Sequence, residues 1–226
     1  MCGRFAFYSP AEAVVKLFGV SEVPAMVPRY NFAPTQFVPV IRQLPEQSSS
    51  VSFLRWGLIP SWAKDKSIGN KLINARGETV HSKPSFRAAF KQRRCLILAD
   101  GFYEWRAEDG AKQPYFISLK SAEPFALAGL WEQWNDGVSD VPLQTCTIIT
   151  TEPNEMMSTL HSRMPVILPA ERYGDWLSPA NDDVDELRQM LLPFESEAMT
   201  HRPVGKAVGN PRNDDESLLA PLPHKK

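Results

Sequence analysis

The chain begins Met1-Cys2-Gly3-Arg4-Phe5, and Cys2 offers unusual chemistry once Met1 is removed. An amino-terminal cysteine carries an α-amine, with an ordinary pKa of about 7.7–8.0, next to a thiol with an ordinary pKa of about 8.5. Both groups are then usable nucleophiles near neutral pH. An amine forms a reversible imine with an aldehyde, whereas a 1,2-aminothiol closes a five-membered thiazolidine ring. The alternative is an unreactive residue in a frayed terminus.

Two further side chains could move protons. Glu104 follows the apolar run from Cys95, and on a strand it shares one face with Phe102 while Tyr103 takes the other. Burial beside aromatic rings would raise the pKa of this carboxyl and suit it to general acid–base catalysis. His161 lies in a predicted loop before Met164-Pro165, and histidine shuttles protons in the physiological range. An exposed Glu and a solvent-facing His remain the alternatives.

Polar and aromatic residues elsewhere could hold a nucleic acid. Asn74 and Arg76 are two apart, so both would face one side of an extended segment, and arginine clamps phosphate bidentately. Aromatic side chains can stack on bases, although most of the six tryptophans should lie in the core. The arginines and aromatic residues that could build a groove are Arg4, Arg29, Arg76, Arg163, Tyr30, Phe32, Trp56, Trp62 and Trp105.

Composition excludes several protein classes. With 226 residues, 43% of them hydrophobic, the chain can form one large domain with a substantial core. No apolar run approaches a membrane span, and no signal peptide is present, so we expect a cytosolic protein. The three cysteines are scattered, which predicts no metal site and no cofactor; Cys95 and Cys146 should be buried. The net charge of −1 confines any nucleic-acid contact to a local patch.

The elements that would position these residues are mostly strands. Strands are predicted at 38–42, 51–59, 95–105, 115–119, 125–134, 145–151 and 166–168, with a hairpin turn at 108–110. Helices are predicted at 10–19, with Ser9 as N-cap, and at 85–92, 154–160, 170–177 and 182–192. We therefore predict an α+β single domain with a barrel-like core of mostly antiparallel strands and surrounding short helices. It should span residues 2–209, followed by a tail, 210–226, that is partly ordered at most.

Seven stretches in order resemble the SRAP (SOS-response-associated peptidase) family, the abasic-site processing proteins. They are residues 1–5, Arg29-Tyr-Asn-Phe-Ala-Pro34, Trp56-Gly-Leu-Ile-Pro-Ser-Trp62, Asn74-Ala-Arg76, Ala99-Asp-Gly-Phe-Tyr-Glu-Trp105, His161-Ser-Arg-Met-Pro165 and Val208-Gly-Asn-Pro-Arg-Asn213. The resemblance covers about residues 2–220. Some relatives have a second aromatic residue directly after the Trp62 position, where this chain has Ala63. Base stacking at that position is therefore in doubt.

The resemblance implies a sensor of abasic sites in single-stranded DNA that forms a thiazolidine cross-link through Cys2 and shields the lesion. It implies catalytic roles for Cys2, Asn74, Glu104 and His161. We assign Asn74 to orienting Cys2 or the opened sugar, Glu104 to proton transfer and His161 to protonating the sugar ring oxygen. DNA contacts are expected from Arg4, Arg76, Arg163, Trp62, Trp105 and Pro39, with the protein a monomer that joins the nucleoid after DNA damage, assuming a bacterial source.

Three other functions remain open. A thiol near His and Glu could cleave peptide bonds, including the bond after Met1. Glutamine amidotransferases that use an amino-terminal nucleophile also start Met-Cys-Gly, but the chain has no synthetase domain and carries the SRAP motifs instead. A non-catalytic binder of single-stranded DNA would keep its affinity after Cys2→Ala and form no bond that survives denaturation.

Overall fold

The computed structural model describes residues 2–44, 47–108 and 110–222. The thirteen strands in this part of the chain are β1 (Phe5–Phe7), β2 (Arg29–Phe32), β3 (Phe37–Arg42), β4 (Ser50–Trp56), β5 (Asn74–Arg76), β6 (Arg94–Ala99), β7 (Gly101–Glu108), β8 (Ala111–Leu119), β9 (Phe125–Trp134), β10 (Leu143–Thr151), β11 (Met164–Pro165), β12 (Ile167–Leu168) and β13 (Met199–Pro203). The α-helices are short: α1 (Ala11–Phe18), α2 (Arg87–Gln92), α3 (Glu155–Ser158), α4 (Tyr173–Leu177) and α5 (Val184–Gln189).

Five strands close into a barrel, as the sequence predicts. Antiparallel pairing runs from β4 through β3, β6 and β9 to β10, and β10 returns to β4 in parallel. β5, β11 and β12 extend the barrel wall, β5 in parallel with β10. A second sheet, in the order β13-β8-β7-β1-β2, is antiparallel throughout. The predicted α+β class with a barrel-like core is confirmed.

The predicted strand at 95–105 is two strands that belong to different sheets. β6 is part of the barrel and β7 part of the second sheet, and Asp100 lies between them. The Asp100 carboxylate accepts hydrogen bonds from the backbone N–H groups of Tyr8 (2.6 Å) and Ser9 (2.8 Å), which fixes the break. Gly101 then passes so close to Phe116 that a Cβ would lie 2.2 Å from its ring. Only glycine permits this crossing between sheets.

Ser9 does not cap α1, contrary to the sequence-based expectation. Its hydroxyl donates to Asp100 Oδ1 (2.5 Å) instead, and Pro10 occupies the N-cap position. The predicted end of α1 is confirmed, because Gly19 adopts φ 65° at the C-cap. β7 and β8 form the expected hairpin, with Glu108 opposite Ala111; Asp109 lies outside the described residues.

The segment assigned to a tail continues the fold as far as Leu222. Asp214 accepts hydrogen bonds from the backbone N–H groups of Tyr30 (2.6 Å) and Asn31 (2.9 Å) and pairs with Arg29. Leu218 is buried in a cluster on the outer face of the second sheet. Residues 210–222 are therefore packed rather than loosely attached, while 223–226 lie outside the described residues. None of the described helices is long and apolar enough to cross a membrane.

The main core lies between the barrel and the inner face of the second sheet. Cys95 and Cys146 are fully buried in it, as predicted, and the thiols are free. Four of the six tryptophans are also buried: Trp56, Trp131, Trp134 and Trp176. Trp56 contacts the Phe5 ring edge-on at 5.3 Å and donates its indole N–H to the Ile73 carbonyl (2.8 Å). This one side chain therefore links β1 to the start of β5.

Candidate active site at the amino terminus

Cys2 is anchored where β1 enters the second sheet. Phe5 pairs with Phe102, and the backbone N–H of Tyr103 donates to the Arg4 carbonyl (2.9 Å). Continuing this register places Gly3 opposite Glu104. The Cys2 side chain is fully buried in the main core, and its Sγ lies 4.0 Å from the Arg4 carbonyl. Cys2 is therefore part of the folded core and not of a frayed end.

Asn74 fixes the backbone of Cys2. It begins β5 opposite Ile148, and its side-chain Nδ2 donates to the Cys2 carbonyl at 2.9 Å. Its Oδ1 is buried and has no hydrogen-bond partner among the described residues. A buried unpaired acceptor is costly, so this oxygen is suited to a donor that arrives with a reactant. The side-chain amide of Asn74 thus contacts Cys2, the residue that Asn74 is predicted to orient.

Glu104 faces the core side of β7, as strand alternation predicts. Phe102 on the same face belongs to the main core, whereas Tyr103 and Trp105 pack in the outer cluster. Glu104 is only 3% exposed, and this burial raises the pKa of its carboxyl, with His161 lowering that pKa in part. In turn, burial is the main cause that raises the pKa of the Cys2 thiol, and the Glu104 charge raises it further. Glu104 therefore interacts electrostatically with both Cys2 and His161.

His161 follows α3 and is oriented by its own loop. The ring Nδ1 lies 3.0 Å from the backbone nitrogen of Arg163 and 3.2 Å from the Arg163 carbonyl oxygen. The backbone N–H is a donor only and makes the shorter contact, so we assign Nδ1 as its acceptor. In the neutral ring the proton is then on Nε2. The four predicted catalytic residues thus occupy one site made by β1, β5, β7 and the loop before β11.

The raised Glu104 pKa predicts a link between stability and pH. The folded chain keeps this proton at pH values where the unfolded glutamate, with an ordinary pKa of about 4.3, has lost it. The folded state binds more protons in that window, so the free energy of unfolding falls as pH rises through it. We expect Glu104→Gln to be more stable than the parent near pH 7.5, by roughly 0.5–2 kcal/mol, with little difference near pH 4. Urea unfolding at both pH values measures this, and an equal difference at the two would contradict it.

The three arginines predicted to bind DNA differ in availability. Arg76 is exposed and forms no ion pair in the described part of the chain. Arg4 is half-buried and donates to the carbonyls of Val208 (2.8 Å) and Gly209 (3.2 Å), so much of its guanidinium is already bound. Arg163 forms an ion pair with Glu78. The guanidinium of Arg76 is therefore the most accessible of the three to a phosphate. Arg4 and Arg163 can bind a phosphate only if they share or exchange their present contacts.

The aromatic residues and the proline that were predicted to contact DNA also differ in exposure. Trp62 is 60% exposed, whereas Trp105 is half-buried in the outer cluster. Pro39 is buried in β3, paired with Phe53 of β4, so the structure does not support its predicted DNA contact. The half-exposed Pro34, in the turn before β3, offers more surface.

No set of three or more His, Cys, Asp or Glu side chains in the described ranges could hold a metal ion.

Sequence reasoning missed two residues that shape the site. Glu78, which pairs with Arg163, is separated from it by 85 positions, and no local pattern connects them. Asn31 is fully buried and donates from its side chain to the carbonyls of Val208 (3.1 Å) and Asn213 (2.8 Å). For Asn31 the sequence did offer a signal, since it is a polar residue inside the 29–34 motif. If such an amide is buried, it needs hydrogen-bond partners.

Comparison with known proteins identifies a consistent set of relatives. The family model described as SOS response associated peptidase (SRAP) matches residues 1–211. The abasic site processing protein YoqW of Bacillus subtilis is 45% identical over 223 residues, which cover 97% of this chain and 99% of the relative. The abasic site processing protein HMCES of Gallus gallus is 34% identical over 225 residues, which cover 86% of this chain and 66% of that relative. A crystal structure of a protein from Bacteroides thetaiotaomicron superposes with a TM-score of 0.87 at 28% identity, covering 98% of this chain and all of that one.

Proposed function

The chain belongs to the SOS response associated peptidase (SRAP) family, and on this premise we propose that it senses abasic sites in single-stranded DNA and bonds to them through Cys2. One observation carries the proposal: the β1–β7 register and the Asn74 hydrogen bond hold Cys2 near a buried glutamate. Removal of Met1 would turn that residue into an aminothiol. An abasic sugar supplies the matching aldehyde when its ring opens.

The proposed reaction conserves every atom. As the sugar opens to its aldehyde, the C1′ hydroxyl loses its proton and the ring oxygen gains one, helped by a hydrogen bond from His161 Nε2–H to that oxygen. The Cys2 amine attacks C1′, and the resulting carbinolamine loses one water to give an imine. The Cys2 sulfur then adds to the imine carbon, and the thiol proton passes to Glu104, which returns it to the nitrogen as the ring N–H of a thiazolidine. Asn74 Oδ1, a buried acceptor, would receive a hydrogen bond from that N–H or from a sugar hydroxyl.

The protonated thiol favours this order over thiolate chemistry. Burial and the Glu104 charge raise the pKa of the Cys2 thiol, so few thiolates exist at neutral pH. A cysteine peptidase needs the opposite shift, because a nearby histidine stabilises its thiolate. In the proposed route the amine acts first and the thiol transfers its proton only during ring closure. The raised thiol pKa therefore supports aldehyde capture more than peptide hydrolysis.

DNA selection would rest on shape and local charge. The net charge of −1 gives no general attraction to DNA, so we assign phosphate contacts to Arg76 first, then to Arg4 and Arg163. A missing base leaves room for the sugar to enter, and only that sugar carries an aldehyde. We further propose that the protein acts as a monomer in the cytosol, on exposed single strands.

The test is a denaturing gel of purified protein with matched single-stranded oligonucleotides. One carries an abasic site, one an intact base, and one a tetrahydrofuran sugar that has the gap but no aldehyde. We expect a slow band that survives denaturation with the abasic strand alone. A band with the tetrahydrofuran strand, or none with any strand, would overturn the proposal.

Trp62 is predicted to support the non-covalent step. Its exposed ring can stack on a base, which is worth about 1–3 kcal/mol in single-strand binders. We expect Trp62→Ala to weaken binding of an undamaged single strand by about 5- to 100-fold. Fluorescence anisotropy measures this. The control is Phe37→Ala, which removes another exposed ring (54%) and should change affinity little; equal losses from both would argue against a specific stack.

A further inference from the structure

Glu78 forms an ion pair with Arg163 through both of its carboxylate oxygens. It lies two residues after β5, and Oε1 pairs with Arg163 Nη1 while Oε2 accepts from Nη2 at 3.0 Å. Bidentate pairing of this kind fixes orientation as well as charge. Arg163 is 16% exposed in its side chain and Glu78 52%, so the pair sits at the rim of the site. The arginine lowers the pKa of the Glu78 carboxyl, which therefore stays ionised at neutral pH.

Arg163 connects this pair to the catalytic histidine. Its Nη2 also donates to the Thr150 carbonyl (2.6 Å) at the end of β10. Its backbone N–H is the donor to His161 Nδ1 (3.0 Å). Two consecutive contacts thus run from Glu78 through Arg163 to the His161 ring, and the Thr150 contact holds the guanidinium in between. Loosening the guanidinium would free the loop whose N–H selects the ring tautomer.

We propose that Glu78 is a positioning residue: by clamping Arg163 it holds His161 with Nε2–H towards the active site. The inference rests on the proposed function, since it assigns His161 the task of donating a hydrogen bond to the sugar ring oxygen. It adds a residue that contacts neither Cys2 nor the sugar. A histidine free to rotate or change tautomer would offer its N–H to the sugar ring oxygen less often, which slows the covalent step.

The same carboxylate opposes DNA binding. Arg163 and the exposed Arg76 both act electrostatically on Glu78, so its negative charge lies among the cations proposed to meet phosphates. A phosphate approaching Arg163 must share or displace it. Removing the charge should therefore strengthen binding while it weakens catalysis. A residue needed only for folding would not shift these two quantities in opposite directions.

The test compares Glu78→Gln with Glu152→Gln, which neutralises an exposed carboxylate in the same surface cleft. Affinity for an undamaged single strand is measured by anisotropy, and the cross-linking rate constant by single turnover at saturating abasic DNA. We expect Glu78→Gln to bind about 2- to 10-fold more tightly and to react about tenfold more slowly. Glu152→Gln should keep the parental rate. An unchanged rate in Glu78→Gln, or the same slowing in both variants, would overturn the inference.

A second readout does not depend on cross-linking. The ¹⁵N chemical shifts of the His161 ring report which nitrogen carries the proton. We expect a single Nε2–H form in the parent and a mixture of tautomers in Glu78→Gln, with thermal unfolding of both variants confirming that they fold. Identical ring shifts in parent and variant would refute the positioning role. If the shifts change but the parent forms no cross-link, the proposed function fails and the contact chain from Glu78 to His161 stands.

Discussion

Replacing Cys2 with alanine should reduce the denaturation-resistant adduct with abasic DNA by a factor on the order of 10³ or more, because the group that closes the ring is gone. Alanine keeps the α-amine, so a reversible imine can still form. That imine hydrolyses when the gel denatures the protein. Binding of an undamaged strand should stay close to that of the parent, since Cys2 is fully buried and offers DNA no surface of its own.

Cys2→Ser provides the matched control for this prediction. Serine preserves size and the amine but replaces the thiol with a weaker nucleophile, so ring closure should be slow and the product should dissociate. Adding borohydride during the reaction should trap the imine in both variants and restore a stable band. A stable band from Cys2→Ala without borohydride would place the nucleophile elsewhere, on a lysine for example.

Replacing Glu104 with glutamine should slow cross-linking by about 10²–10⁴-fold, the range that a positioned general acid–base contributes. Glutamine has nearly the same shape and keeps hydrogen-bonding capacity, but it cannot accept the thiol proton. The raised pKa of Glu104 matches this role, because a carboxyl that titrates nearer neutrality both takes and returns protons. Single-turnover gels at several pH values measure the rate constant.

The expected loss should be specific to the buried carboxylate. Glu123→Gln, on an exposed turn, changes the net charge equally and should leave the rate unchanged. The Glu104 variant should also lose much of the parental pH dependence of the rate. A parental rate constant in Glu104→Gln would show that another group, or water, transfers the proton.

Local chemistry explains what the sequence could predict. The alternation of residues along β7 correctly placed Glu104 and Tyr103 on opposite faces of the strand. The β-branched runs around Cys95 and Cys146 correctly indicated buried strands. The Asp100 break was missed because the carboxylate is satisfied by Tyr8 and Ser9, more than ninety residues away. Strand β2 is missing from the predicted strands for the same reason: it is stabilised by pairing with β1, which is distant in the sequence.

The site shows the same division between local and distant information. The motifs predicted Cys2, Asn74, Glu104 and His161 as site residues, but spacing alone could not place Asn74 at 2.9 Å from the Cys2 carbonyl. Nor could it show that Arg163 is held by Glu78, or that Arg4 is held by the loop at 208–209. Pairings across long sequence separations are set by the tertiary fold, so they left no signal in a single sequence.

The most direct test is the intact mass of the cross-linked product, measured beside a variant with one extra residue left ahead of Cys2. The aminothiol mechanism predicts a mass equal to the protein without Met1, plus the oligonucleotide, minus one water. It also predicts no adduct from the extended variant, whose Cys2 has a thiol but no free amine. An equally abundant adduct from the extended variant, or a mass that retains Met1, would contradict bonding through the amino-terminal cysteine.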